Sequence, residues 1–172
     1  MKICISGLTG TGKTTLGDEL AKELGIEHIK PTYKSKVASD DELLRFLKNA
    51  SKAYIKEFDD DIINKSDGKD CIITTWHCPW IIKDATVRIW LVCGDKERIR
   101  REAKSRGKSI EYATKYVKMK DKLSLAQYKK AYGKEFDYSI IDLTINTEKV
   151  SRENVVALIS MFALLREKKK FV

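Results

Sequence analysis

Residues 7 to 14 read Gly7-Leu8-Thr9-Gly10-Thr11-Gly12-Lys13-Thr14, and this octapeptide restricts the fold more than any other stretch of the chain. It has the form G-x-x-x-x-G-K-[ST], a glycine loop whose backbone N–H groups close around one anion. Such a loop needs a strand to deliver it and a helix to receive it. Both flanks fit. Ile3-Cys4-Ile5 is a short apolar run suited to a buried strand, and Leu16, Leu20, Ala21 and Leu24 share one helical face. Gly25 supplies the stop. In this motif the helix N-terminus adds partial positive charge, Lys13 reaches terminal phosphates and Thr14 offers its hydroxyl to Mg2+.

The rest of the chain alternates in the same way. Apolar runs at Lys2–Ser6, Cys71–Thr75, Val87–Cys93 and Ser139–Asn146 read as strands, with a weaker one at Glu27–Lys30. Helical patterns separate them, which predicts a parallel sheet covered by helices. Asp40 to Phe58 carries Leu43, Leu47, Ala50, Tyr54 and Phe58 on one stripe, with Ser39 or Asp40 placed to cap it. Lys96 to Ser105 is densely charged and Gly107 breaks it. Ser109 to Tyr132 and Ser151 to Arg166 are further helices. Tyr112, Tyr116 and Met119 recur at helical spacing, which favours packing over a base-stacking surface.

At 172 residues, with no Pro/Gly/Ser linker and no repeat, the chain suits one domain. Its net charge of +9 suits acidic ligands, whether nucleotide or nucleic acid. The lysines are spread along helices rather than interleaved with aromatics, so a solvated surface is the simpler account. No pair among Cys4, Cys71, Cys78 and Cys93 has C-x-x-C spacing, which argues against a zinc or redox centre. No signal peptide precedes the first strand and no apolar run is long enough to span a bilayer, so the expectation is a cytoplasmic protein, monomer or homodimer.

A glycine loop of this kind serves kinases, GTPases and ATPase modules. Asn64-Lys65-Ser66-Asp67 spells a guanine-recognition sequence, but it lies upstream of the strand Cys71–Thr75, where a GTPase does not carry it. A small-molecule kinase fits better. Phosphoryl transfer needs positive charge along the moving group, commonly delivered as arginines from a mobile segment. Arg98, Arg100, Arg101 and Arg106 follow Val87–Cys93, where such a segment would start. The same arginines could equally form a solvated face paired with Glu97 and Glu102.

Three stretches resemble the nucleoside monophosphate kinases, specifically the archaeal-type cytidylate kinases. They are Ile5 to Gly12 with Thr14-Thr15; Lys83 to Leu91 with Arg98, Arg101 and Arg106-Gly107; and Tyr128 to Gly133 with Asp137 to Thr147. The resemblance implies five parallel strands in the order 2-3-1-4-5, a monophosphate-binding helical insert at about residues 31–65 and a lid at about 96–128. It implies ATP and Mg2+ as cofactors and a small-molecule nucleotide, CMP or dCMP, as acceptor. By it, Gly7, Leu8, Thr9, Gly10, Thr11, Gly12, Lys13, Thr14 and Thr15 hold ATP phosphates, Arg98, Arg101 and Arg106 are lid arginines, and Asn146 and Thr147 lie beside the ATP base.

The chain also departs from the family. Relatives close the third strand with Gly-Arg, and that arginine grips the acceptor phosphate; here Thr75-Trp76 stands in its place, followed by His77. Lys120 replaces a lid arginine, and only Lys34 or Lys36 could stand for the insert's Phe-Arg pair. Trp76 and His77 are therefore candidate acceptor-site residues, with Trp80 behind them. In the acidic run Asp59-Asp60-Asp61, Asp60 is a candidate for orienting Mg2+-bound water or a ribose. No Walker-B aspartate stands at the end of Cys71–Thr75. Two other readings stay open: a kinase for another small acceptor, either a different monophosphate or a non-nucleotide alcohol, and an ATP-binding protein that associates with RNA.

Overall fold

The computed structural model describes residues 1–33 and 37–168. In chain order the elements are β1 (Lys2–Gly7), α1 (Lys13–Leu24), β2 (Glu27–Ile29), α2 (Asp40–Asn49), α3 (Lys52–Ser66), β3 (Cys71–Thr74), α4 (Cys78–Ile81), β4 (Val87–Val92), α5 (Asp95–Arg106), α6 (Ile110–Tyr132), β5 (Leu143–Asn146) and α7 (Arg152–Lys168). All six residues of β1 are buried, so this strand must lie inside a sheet covered on both faces. It does. The sheet is parallel throughout with order β2-β3-β1-β4-β5.

Strand alternation divides the core between two faces. Ile3, Ile5, Ile72, Ile89 and Leu91 point to the side packed by Leu16 and Leu20 of α1 and by Val155, Ile159 and Ala163 of α7. Cys4, Cys71 and Ile73 point to the other side, against Ile62 of α3 and Cys78, Ile81 and Ile82 around α4. A separate apolar group, Tyr33, Leu43 and Leu47 with Phe46, Tyr54 and Phe58, joins α2 and α3 to Leu123 of α6. The C-terminal ends of β1, β3, β4 and β5 open on one side of the sheet, where a parallel α/β sheet binds its ligand.

Three details differ from the sequence expectation. The pattern from Asp40 to Phe58 is two helices, because Ala50 takes an extended backbone and Ser51 restarts the chain as an N-cap accepting from Tyr54 N–H. Ser39, one of the two caps the sequence offers, does cap α2, accepting from Glu42 N–H. The last strand begins only at Leu143, since Asp137 accepts from Ser139 N–H and winds Tyr138–Ile140 into a 3-10 turn. A four-residue helix, α4, starts just after His77, with Pro79 in its first turn.

Leu20 is fully buried between α1 and the sheet. Leu20→Ala should cost about 2–5 kcal/mol of unfolding free energy through lost burial and residual cavity, read from the urea midpoint at unchanged m-value.

Candidate active site

The glycine loop runs from the end of β1 to the first turn of α1 with left-handed backbone at Gly10 (φ +82°) and Gly12 (φ +91°). At Gly10 space as well as torsion demands glycine, because a Cβ there would lie 2.6 Å from the Arg98 carbonyl oxygen. Gly12 is the N-cap of α1 and provides no side-chain cap, so the first N–H groups of the helix stay available to an anion. Lys13 curls over the loop, donating from Nζ to the carbonyls of Gly7 (2.7 Å) and Leu8 (2.9 Å). Burial, and then the nearby Lys120 ammonium, lower its pKa from 10.5 to about 8. Leu8, Thr9, Gly10, Thr11, Gly12, Lys13, Thr14 and Thr15 all line a cleft of about 1250 Å³. Gly7 lies beneath it, against Leu91 of β4.

The structure gives Arg98 a different place from that of a mobile lid arginine. It is 5% exposed, and its guanidinium donates to the Thr9 carbonyl (2.7 Å), to Asp121 (2.8 Å) and to Asp95 (2.6 Å). Asp121 in turn accepts from Thr9 N–H at 2.9 Å. The pair therefore clamps the glycine loop from α5 and α6, and Arg98 does not face the cleft.

Arg101 and Arg106 do face it. Arg101 donates to Glu97, to the Thr147 hydroxyl (3.0 Å) and to the Thr147 carbonyl (2.8 Å). The Thr147 hydroxyl reaches the Thr11 carbonyl at 3.0 Å, tying the end of β5 to the loop. Arg106 pairs with Asp40 and with Glu102, donates to Tyr116 Oη (2.9 Å) and lies over the Tyr116 ring. Lys120, from α6, joins the same wall. Asn146 is turned away. Its side-chain oxygen accepts from Glu148 N–H, and Thr147 rather than Asn146 borders the cleft.

The opposite end of the cleft is aromatic, bordered by Tyr33, Phe58, Trp76, His77 and Phe136. His77 is 1% exposed and stacks on Trp76 with ring centroids 4.0 Å apart. Its Nε2 meets Asp59 Oδ1 at 2.6 Å, and the other Asp59 oxygen accepts from Tyr132 Oη at 2.7 Å. His77 Nδ1 and Tyr33 Oη are buried with no hydrogen-bond partner. Burial, followed by the charge of Asp59, raises the Tyr33 phenol well above its ordinary value. The acidic residue at this end is therefore Asp59, while Asp60 is exposed and outside the cleft. Trp80 is a packing residue, stacked on Phe136 at 3.9 Å with its indole N–H on the Asp137 carbonyl. Lys34 and Lys36 lie outside the described residues.

Helical phase could have found Asp59. Ile55, Asp59, Ile62 and Ser66 form the buried face of α3, so the carboxylate at position 59 points inward and its neighbours outward. Asp121 had no such signal, because the 23 residues from Arg98 to Asp121 span two helices. Among the described residues no group of three His, Cys, Asp or Glu side chains could hold a metal ion, and none of the helices is long and apolar enough to cross a membrane.

The cytidylate kinase-like family matches residues 28–149. The chain is 30% identical over 164 residues to a cytidylate kinase of Pyrococcus horikoshii, covering 91% of this chain and 85% of that one. In three dimensions it is similar to a protein from Eubacterium ventriosum (TM-score 0.72, 16% identity, 95% and 97% coverage). It is also similar to a deoxyadenosine kinase from M. mycoides with bound dATP (TM-score 0.59, 18% identity, 94% and 99% coverage). The last two likenesses concern the fold.

A polyphosphate seated on the loop would raise the Lys13 pKa from its value near 8, so binding near or above that pH takes up protons. Calorimetry of ADP binding at pH 8 in buffers of different ionisation enthalpy should show uptake of up to about half a proton. Lys13→Met should remove that uptake, and a buffer-independent enthalpy in the wild type would contradict the assignment.

Proposed function

The chain belongs to the cytidylate kinase-like family, and from that membership we propose that it transfers the terminal phosphoryl group of ATP to a nucleoside monophosphate, with CMP or dCMP the favoured acceptor. The observation that carries this reading is the single cleft that joins the glycine loop to an aromatic pocket. One end offers backbone N–H groups, a helix N-terminus and Lys13 to the donor phosphates. The other offers the Trp76 face for stacking and the His77 and Tyr33 polar atoms for a base or ribose edge.

Phosphoryl transfer of this kind needs positioning and charge neutralisation rather than a protein nucleophile. Lys13 leaves the Gly7 and Leu8 carbonyls for the terminal phosphates. Arg101 and Arg106 lie on the wall between the two ends, where negative charge develops. Arg98 and Asp121 act indirectly by holding the loop. In this reading residues 31–65 enclose the acceptor and residues 96–128 carry the cationic wall.

Mg2+ fits the donor chemistry of the loop. Thr14 presents an exposed hydroxyl on the first turn of α1 at the cleft, a hard oxygen donor of the type Mg2+ accepts beside phosphate oxygens and retained waters. Held there, the ion would supply positive charge to the donor phosphates.

A second reading has its own support. Among the described residues the acceptor end carries aromatic rings, His77 and Tyr33 but no arginine for a phosphate. A neutral hydroxyl acceptor would suit the two unpartnered polar atoms.

ADP formation from Mg-ATP with CMP, dCMP, UMP, AMP, GMP and no acceptor separates the readings. One pyrimidine monophosphate should stimulate turnover strongly. Stimulation by none of them would redirect the search to hydroxyl acceptors. Lys13→Ala should lower kcat at least a hundredfold with the fold kept, since charge stabilisation of this kind is worth about 2.7–4 kcal/mol. His77→Leu should raise the acceptor KM at least tenfold and leave the KM for ATP within about twofold, as expected when a buried hydrogen-bonding partner is lost.

A further inference from the structure

A continuous hydrogen-bonded chain crosses the far side of the glycine loop. Asp18, on α1, meets His28 Nδ1 at 2.8 Å, and His28 Nε2 meets the Thr74 hydroxyl at 2.8 Å. Thr74 is the last residue of β3 and borders the cleft. The seat for the imidazole is built into α1. A Cβ at Gly17 would lie 2.5 Å from His28 Nε2 and 2.6 Å from Thr74 Cγ2. Glycine inside a helix costs about 1 kcal/mol relative to alanine, and here the missing side chain lets the ring pass between α1 and β3. The same contacts put the Thr74 side chain on the α1 side of the sheet, the side that carries Thr14.

The direction of the protons follows from the partners. Lys30 and His28 hold the Asp18 carboxyl below its usual range, so Asp18 accepts only, and His28 must carry its proton on Nδ1. Burial lowers the His28 pKa and keeps the ring neutral near pH 7. Its Nε2 is then a lone pair, and the Thr74 O–H must donate to it. This turns the remaining lone pairs of the hydroxyl oxygen outward. Without His28 the hydroxyl would rotate freely and could offer a proton instead.

The end of β3 is where glycine-loop enzymes of this architecture place a carboxylate that receives hydrogen bonds around Mg2+. This chain reads Thr74-Thr75-Trp76-His77 there and has none. We propose that the Thr74 hydroxyl, oriented by His28 and Asp18, takes the place of that carboxylate as the acceptor for Mg2+-bound water. Thr74 touches the ion's water shell, while His28 and Asp18 are positioning residues. The proposal rests on the reading of the loop as a Mg-nucleotide site and is independent of the acceptor's identity.

The test is equilibrium binding of ADP in MgCl2 and in EDTA, which gives a Mg2+ enhancement factor for each variant without any turnover. Thr74→Val keeps the shape and removes the acceptor. It should reduce the factor about fivefold, the worth of one hydrogen bond, with affinity in EDTA unchanged. Thr74→Ser should retain the factor. His28→Leu frees the hydroxyl and should lower the factor about twofold to threefold. If Thr74→Val does not fold, His28→Leu reads the same quantity. A folded Thr74→Val or His28→Leu protein with the wild-type factor overturns the proposal and reduces the chain to a staple between β2, α1 and β3, which would show only as a lower Tm. Wild-type protein that binds no ADP in either buffer would instead sink the nucleotide reading itself, a distinguishable failure.

Discussion

The arrangement depends on holding open a backbone that has little reason to stay open. A loop that turns its N–H groups toward one anion leaves its carbonyls in need of partners elsewhere. Here the partners come from three directions. Asp121 and Arg98 take Thr9 on its N–H and carbonyl sides, the Thr147 hydroxyl takes the Thr11 carbonyl, and Lys13 covers the carbonyls of Gly7 and Leu8. The anion cradle is therefore preorganised by side chains from α5, α6 and the end of β5. Preorganised dipoles give the largest electrostatic return because they need no rearrangement during the reaction. The same economy removes Arg98 from phosphate contact, since an arginine buried to hold the loop cannot also swing over it.

The two ends of the cleft solve different problems. The donor end handles charge, and its equipment is backbone, helix dipole and cations. In the proposed reading the acceptor end would handle identity. There a fully buried Asp59–His77 pair sits behind Trp76, with Tyr132 completing the hydrogen bonds of the carboxylate. A buried hydrogen-bonded polar pair contributes little to stability relative to apolar packing. In the proposed reading its value would lie in discrimination, because a ligand that leaves His77 Nδ1 and Tyr33 Oη unpaired would be penalised by the cost of a buried orphan atom. Aromatic walls raise that cost by excluding water from the alternatives.

Local pattern made the sheet legible. The glycine loop identifies β1 and α1, alternating apolar runs identify the strands, and the order 2-3-1-4-5 follows from the resemblance and is what the structure has. The cleft was legible wherever function is carried by backbone, as in residues 8 to 15. It was less so wherever a side chain could serve two purposes. Arg98 and Arg106 look alike in a charged helix, and only the three-dimensional position of Asp121 and Asp40 separates a clamp from a cleft-facing arginine. Asp59 and Asp60 differ by one step of helical phase, which sequence encodes but a triplet of aspartates disguises. The Asp18–His28–Thr74 chain joins three elements at sequence distances of 10 and 46 residues, and the glycine inside α1 was the single local trace of it.

Arg106 shows how these constraints meet. Its Nη1 lies on Asp40, its Nε on Glu102 and its Nη2 on Tyr116, and Tyr112 also donates to Asp40. Every edge of the guanidinium is engaged. Such a group can lend charge to a phosphate only by exchanging a carboxylate for it, and Asp40 is the partner contributed by a different segment of the cleft rim. In the proposed reading such an exchange would trade one anion for another at the single Nη1 contact to Asp40. Its direction is then decided by what else the incoming phosphate gains, namely the loop, Lys13 and the Arg101 side of the wall. In the proposed reading, Arg106 would lend its charge to a phosphate only at the expense of its contact with Asp40, so its contribution would depend on what occupies the cleft beside it.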